Sequence, residues 1–266
     1  MSRIKDAFET LRQRQEKGLI TYLTGGDPNL EKTRELTLVM AHSGADIIEV
    51  GIPFSDPMAD GPVIQAASNR ALAGGATVGG ILKMTGEVRR ETEIPLVLMT
   101  YYNPVYQYGL EAFCRHAVEN GVDGLIVPDL PYEESGPLQE YADFCGLDLI
   151  PLVAPTSTPD RVAAICTRAR GFIYCVAVTG VTGMRREIET DLAGLSSLVR
   201  EHTDLPVAIG FGVSGPESAR KAAQFCDAVV VGSAIVNVIG QGAYEEVGKF
   251  TTELKSALVK PKRQDP

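Results

Sequence analysis

The chain is sparing with cysteine. Five are scattered at Cys114, Cys145, Cys166, Cys175 and Cys226 among 266 residues, and none forms a C-x-x-C pair. An odd, dispersed set argues against a disulfide framework or a zinc site, and a reducing cytoplasm is its simplest home. Positive charge is also in deficit: 25 Lys plus Arg stand against 34 Asp plus Glu, a net charge of -9. That argues against nucleic acid or an acidic membrane surface as the main partner. It leaves room for a phosphorylated small molecule, with backbone amides and helix ends doing much of the anion binding. Long apolar runs are missing too. The longest, such as DAVVVGSAIVNVIG, are too short or too broken to span a bilayer. The opening stretch MSRIKDAFETLRQRQEKG is polar and helical in pattern, unlike a signal peptide.

Hydrophobic residues make up 44% of the chain, enough for a large core. Short apolar runs alternate with amphipathic stretches throughout. The strand candidates are Leu19–Thr24, Asp46–Gly51, Pro95–Thr100, Asp123–Asp129, Leu147–Val153, Gly171–Val178, Pro206–Gly212 and Asp227–Ser233. Each is rich in Val, Ile, Leu or aromatics and bounded by Gly, Pro or Asp, as strands buried on both faces require. Between them, LEKTRELTLVMAHSG, GLEAFCRHAVENG and GPESARKAAQFC carry apolar residues at helical spacing. No G-x-G-x-x-G follows the first strand, which disfavours a doubly wound open sheet. Eight strand–helix pairs without a long polar linker predict an α/β chain forming a single (β/α)8 TIM barrel over residues 1–266. An N-terminal helix precedes it, and the stretch ALAGGATVGG between two helical patterns marks an extra helical insertion after the second strand.

In such barrels the active site lies at the C-terminal ends of the strands. Glu49 ends the second. Side chains alternate along a strand, so Ile47, Glu49 and Gly51 share one face while Ile48 and Val50 share the other. The outer helices take Ile48 and Val50, which turns Glu49 toward the barrel axis. Burial there raises a carboxyl toward the range useful for proton transfer; the plain alternative is a structural Glu tied to neighbouring strands. Asp60 closes the following proline-rich loop. Its local spacing before Gly61-Pro62 favours a helix N-cap. Late glycine turns follow the sixth, seventh and eighth strands: Gly180–Gly183, Gly210–Pro216 and Gly232–Ala234. Loops at these positions bind phosphate in many barrels, through amides and a helix N-terminus. Tyr22, Tyr101 and Tyr102, Tyr174 and Phe211 stand near strand ends and suit a planar aromatic ligand, or simply the core.

The stretch IIEVGIPFSDPMADGPVIQ resembles the signature of tryptophan synthase alpha subunits, and the likeness runs nearly the whole chain. ITYLTGGDP, LMTYYNP, GLIVPDLPYEE, APTSTPDR, IYCVAVTGVTG, VAIGFGVS and VVVGSAIV fit in order. The resemblance implies retro-aldol cleavage of indole-3-glycerol phosphate without a cofactor or metal in this chain. Glu49 matches the proton-transferring carboxylate. Asp60 matches the one that accepts the indole N–H, which shifts it from cap to catalyst; both roles can coexist. Gly183, Gly212, Gly232 and Ser233 match the phosphate site, with Phe211 beside it. Tyr22, Ile64, Tyr101, Ile126, Asp129 and Tyr174 match pocket positions. Thr182 falls on the loop that closes onto the catalytic Asp, and Met184 stands where a smaller residue such as Ala is expected.

The resemblance also implies a partner: a beta subunit carrying pyridoxal phosphate, in an alpha2beta2 heterotetramer. The loops Pro53–Asp60 and Gly180–Arg186 would meet it, with exposed Pro57, Met58, Tyr102, Asn103 and Pro104 as interface candidates. Two other functions compete. A sugar-phosphate isomerase would share the late glycine turns but has no evident need for Glu49 and Asp60. A chain that chiefly activates its partner would not need both carboxylates intact.

Overall fold

A computed structural model describes residues 2–176, 185–210 and 212–259, with backbone alone for 185–191. The expected segments Val178 to Met184, which include Thr182 and Gly183, and the residue Phe211 lie outside the described residues. So does the Gly180–Met184 part of the expected interface loop.

Nine strands form one parallel sheet: β1 (Gly18–Thr24), β2 (Ile47–Gly51), β3 (Leu96–Met99), β4 (Gly124–Ile126), β5 (Asp148–Leu149), β6 (Leu152–Val153), β7 (Ile173–Val176), β8 (Val207–Gly210) and β9 (Ala228–Val231). Their order is β5-β4-β3-β2-β1-β9-β8-β7-β6. The two ends of that order are neighbours in the chain. β5 pairs with β4 and β6 pairs with β7, so the stretch Asp148–Val153 closes the sheet into an eight-membered ring. This corrects the expected unbroken fifth strand, Leu147–Val153. Pro151 has no N–H to donate, so a ladder through it is interrupted. Its carbonyl still accepts from Tyr174 N–H at 3.0 Å, while Ile150 N–H donates to Leu125 at 2.9 Å.

Alternation sorts the side chains. Leu19, Leu23, Ile48, Val50, Leu96 and Leu98 belong to the outer core between the strands and the helices. Ile20, Ile47, Val97, Ile126, Ile150, Phe172 and Ala208 fill the barrel interior. The expected N-terminal helix spans Arg3–Arg14 and presents Ile4, Phe8 and Leu11 to that interior, with the Phe8 ring 5.8 Å from Phe172. Each such burial stabilises by about 1.5–3 kcal/mol. The helix comes this close because β4 starts on a glycine: a Cβ at Gly124 would stand 3.0 Å from Ile4 Cδ1 and 2.8 Å from Ile150 Cδ1. The helix thus plugs the end opposite the strands' C-termini and leaves the other end open.

The expected insertion is present as two helices, Pro62–Ala73 and Val78–Arg89, between β2 and β3. The first starts with Pro62 at its first turn, where a missing N–H costs nothing. It is tied to the turn after β1 by Arg70, whose guanidinium donates to both oxygens of Asp27 at 2.8 and 2.7 Å. Asp27 is only 3% exposed. No helix among the described residues is long and apolar enough to cross a membrane.

Removing Arg70 strands the Asp27 charge. We expect Arg70→Ala to lower unfolding free energy by about 2 kcal/mol, less than for a fully buried pair because Arg70 is partly solvated. The double variant Asp27→Asn/Arg70→Ala should recover part of the loss in urea unfolding, since it leaves no buried charge.

Candidate active site

The open end of the barrel holds a cavity of about 1060 Å³. Glu49, Tyr22 and Tyr174 reach it from the strands, Asp60 and Ile64 from the loop and helix after β2, and Gly212, Gly232 and Ser233 from the late turns. Tyr101, Ile126 and Asp129 do not line it. Tyr101 stands behind Asp60, Ile126 is packed in the barrel interior, and Asp129 borders a smaller neighbouring cavity.

Glu49 points inward, as alternation required: Ile47 is in the interior cluster while Ile48 and Val50 are outside. It is 1% exposed, and its Oε2 has no hydrogen-bond partner among the described residues. A buried acceptor left unpaired is costly, which makes it a place where a ligand is awaited. Burial raises its pKa from the ordinary value to about 8, and the nearby Asp60 charge adds to the rise. A pKa of about 8 keeps the Glu49 carboxyl mostly protonated at neutral pH.

Asp60 corrects the reading from local spacing. The N-cap of Pro62–Ala73 is Gly61, and no side chain caps that end. A cap needs its oxygen one residue before the helix. Asp60 is two residues before it, which releases its carboxylate toward the cavity. Burial raises its pKa, opposed by a hydrogen bond from the Tyr101 hydroxyl. That hydroxyl also accepts from Ala59 N–H at 3.0 Å, and the Tyr101 ring lies 5.4 Å from Phe54. Tyr101 thereby fixes the end of the loop that carries Asp60.

Two tyrosines, on β1 and β7, lie over glycines of a neighbouring strand. A Cβ at Gly51 would meet the Tyr22 hydroxyl at 2.1 Å, and one at Gly210 would meet the Tyr174 hydroxyl at 2.1 Å. Both phenols are buried and neutral, their pKa values raised chiefly by desolvation. They give the cavity aromatic walls.

The late turns follow β8 and β9, which stand between the two tyrosine-bearing strands in the ring. The helix Ser233–Gly240 has Gly232 as its N-cap, without a side-chain cap, and its first intrahelical bond is from Val236 N–H. The N–H groups of Ser233, Ala234 and Ile235 precede that bond, so no helical carbonyl accepts from them. Together with the helix dipole they give this corner a positive potential, which suits an anion. Gly212 has φ +70°, which favours glycine, and space beyond its Cα. The neighbouring turn is less free: Ser218 Oγ accepts from Ser214 and Gly215 N–H at 3.0 and 3.1 Å.

Several cavity residues escaped the sequence reading. Met99, Val176 and Val230 line it. Each is two positions along its strand from an inward residue already identified (Val97, Tyr174) or from Gly232, so alternation was signal enough. Thr156, Ser157 and Arg161 come from the loop after β6 and the helix Pro159–Arg168; nothing local marks them. Of the interface candidates, Met58 is 86% exposed and Asn103 is exposed. Pro57, Tyr102 and Pro104 are half-buried rather than exposed.

The chain is similar over nearly its full length to characterised proteins. A family model described as tryptophan synthase alpha chain matches residues 8–262. The tryptophan synthase alpha chain of Geobacter sp. (strain M21) is 49% identical over 267 residues, 99% of this chain and 100% of the relative. That of Thermoanaerobacter sp. (strain X514) is 46% identical over 263 residues, covering 97% and 100%. Among solved structures, the tryptophan synthase alpha chain of Legionella pneumophila superposes with a TM-score of 0.91 at 35% identity, covering 99% of this chain and 100% of that one. A Mycobacterium tuberculosis tryptophan synthase chain matches with a TM-score of 0.91 at 37% identity, covering 98% and 99%.

A protonated Glu49 has a spectroscopic signature. Infrared titration should show a carboxylic acid C=O band at pH 7 that disappears with a midpoint near 8. The band should be absent from Glu49→Gln; a midpoint below 6 would contradict the effect of burial.

Proposed function

Since this chain belongs to the tryptophan synthase alpha chain family, we propose that its reaction runs through Glu49 and Asp60. That reaction is the cleavage of indole-3-glycerol phosphate to indole and glyceraldehyde 3-phosphate in tryptophan biosynthesis. The chain is a carbon–carbon lyase, and the isomerase alternative falls with its family membership. The observation that carries the assignment is a fully buried, inward carboxyl with an oxygen unpartnered among the described residues, sharing one cavity with a second carboxyl.

The chemistry follows from the protonation states. Protonated Glu49 delivers its proton to indole C3, and the ring becomes an indolenine-like cation. Asp60, accepting a hydrogen bond from the ring N–H, stabilises that positive charge. Glu49 is then a carboxylate and removes the proton from the adjacent glycerol hydroxyl. The C–C bond breaks, its electron pair returns to the ring, and the hydroxyl carbon becomes the aldehyde of glyceraldehyde 3-phosphate. Glu49 ends protonated, ready for the next cycle.

Gly212, Gly232 and Ser233 hold the phosphate through the free amides of the helix Ser233–Gly240. Tyr22, Ile64 and Tyr174 flank the indole. Tyr101 orients Asp60, while Ile126 and Asp129 act from outside the cavity wall. By the resemblance, Gly183 and Phe211 would belong to the phosphate site and Thr182 would contact Asp60; all three lie outside the described residues. No residue of this chain is assigned to a cofactor. The partner is a tryptophan synthase beta subunit carrying pyridoxal phosphate, in an alpha2beta2 assembly. Supporting this, matching solved chains come from structures described as tryptophan synthase, and apolar Met58 is exposed on the loop leading to Asp60. The free thiols suit a cytoplasmic setting.

Indole release from indole-3-glycerol phosphate, measured with and without a beta subunit, tests the reading. Glu49→Gln should lower kcat by about 10³-fold or more with KM little changed. Asp60→Asn should lower it by about 10²-fold. Because the free enzyme must hold the Glu49 proton and an ionised Asp60, kcat/KM should fall as pH rises through about 8 and fall again in acid, where Asp60, its pKa raised by burial, takes up a proton. Wild-type turnover in Glu49→Gln would overturn the assignment.

A further inference from the structure

Between β4 and the fifth-strand segment the backbone ladder ends at Leu125 and Leu149. β6 resumes beyond Pro151 but pairs only with β7. The barrel wall therefore parts at its C-terminal end. In that parting lies a second cavity of about 390 Å³, which shares Pro128, Leu152 and Arg161 with the main one. Its wall combines buried Leu149, Ile150 and Ile165 with polar Asp129, Ser135 and Gln139. Its rim carries two guanidinium groups, Arg161 and Arg168, both exposed.

The formal charges at this rim balance, but they are not all paired. Arg161 is paired with Glu133 at 3.0 Å. The Asp129 carboxylate accepts Tyr102 N–H at 2.8 Å and so serves the N-terminus of the helix Tyr102–Tyr108. Arg168 lies over the Tyr132 ring, 5.7 Å from its centroid, and pairs with no carboxylate among the described residues. The geometry points to a binding site for a small apolar monocarboxylate, its body against Leu149, Ile150 and Ile165 and its charge on Arg168. A planar carboxylate matches a guanidinium in two-point fashion. One guanidinium without an ion-pair partner among the described residues, in a cavity that Asp129 also borders, suits a monoanion rather than a phosphate dianion. A volume near the small end of ligand pockets, about 300–1,000 Å³, admits one ring or a branched chain and not a two-ring phosphate ester. The site is thus distinct in chemistry from the main cavity, and it adjoins that cavity through Arg161.

The probe is 4-bromobenzoate, with 4-bromobenzamide as its neutral isostere. Anomalous scattering from soaked crystals should place bromine in the smaller cavity. Calorimetry on the intact chain should show the carboxylate binding about tenfold tighter than the amide. Arg168→Gln, at an exposed position that leaves the fold intact, should erase that preference. Bromine confined to the main cavity or bound nowhere would overturn the proposal. So would equal affinity for the two probes, a preference that survives in Arg168→Gln, or inorganic phosphate competing as well as the carboxylate.

Discussion

A single carboxyl, buried without a partner among the described residues, governs the rest of this molecule. Placing Glu49 inside the barrel removes it from water, and the cost of ionising it there raises its pKa. That cost is tolerated because a protonated carboxyl is nearly neutral to its surroundings. The same burial moves the titration of an ordinary carboxyl toward neutral pH. Its environment is built by the ring: Ile47 below it on the same strand, apolar Val97 beside it on β3, and Tyr22 opposite it on β1.

The barrel divides labour between its two ends. At one, the helix Arg3–Arg14 seals the interior with Ile4, Phe8 and Leu11, so stability is secured away from the chemistry. At the other, strands stop on glycine or run into loops, and the interior stays open. Gly51 and Gly210 are required there by the tyrosine hydroxyls that occupy the space of a side chain. The aromatic walls are thus set by the glycines beneath them as much as by the rings. Beside Tyr22, the amides at the start of the helix Ser233–Gly240 supply a positive end without a basic side chain. A net charge of -9 and a corner that suits an anion coexist because the corner uses dipoles, not side chains.

The fold was largely legible in the residues. Eight apolar runs separated by amphipathic stretches predicted the ring, and the glycine-rich stretch between two helical patterns predicted the second helix after β2. The inward turn of Glu49 followed from parity alone, since Ile48 and Val50 could only belong to the outer core. The break at Pro151 was visible as a proline in an apolar run, but which neighbour would lose its hydrogen bonds was not. Asp60 was misplaced by local reasoning. An acid before Gly-Pro resembles a cap, and only the observed helix start, with Gly61 in the cap position, frees its side chain for the cavity.

By itself, then, the order of residues determined what each strand buries on either face, where the chain turns, and which acid must point inward. These depend on period and on the conformational limits of glycine and proline, which act over a few residues. The tertiary structure decided what meets what. Tyr101 reaches across 42 positions to Ala59 and so to Asp60, Arg161 borders two cavities, and the raised pKa of Glu49 exists only once the ring has closed around it. Desolvation and charge proximity are properties of a surrounding volume, and that volume is assembled from segments that no local pattern brings together.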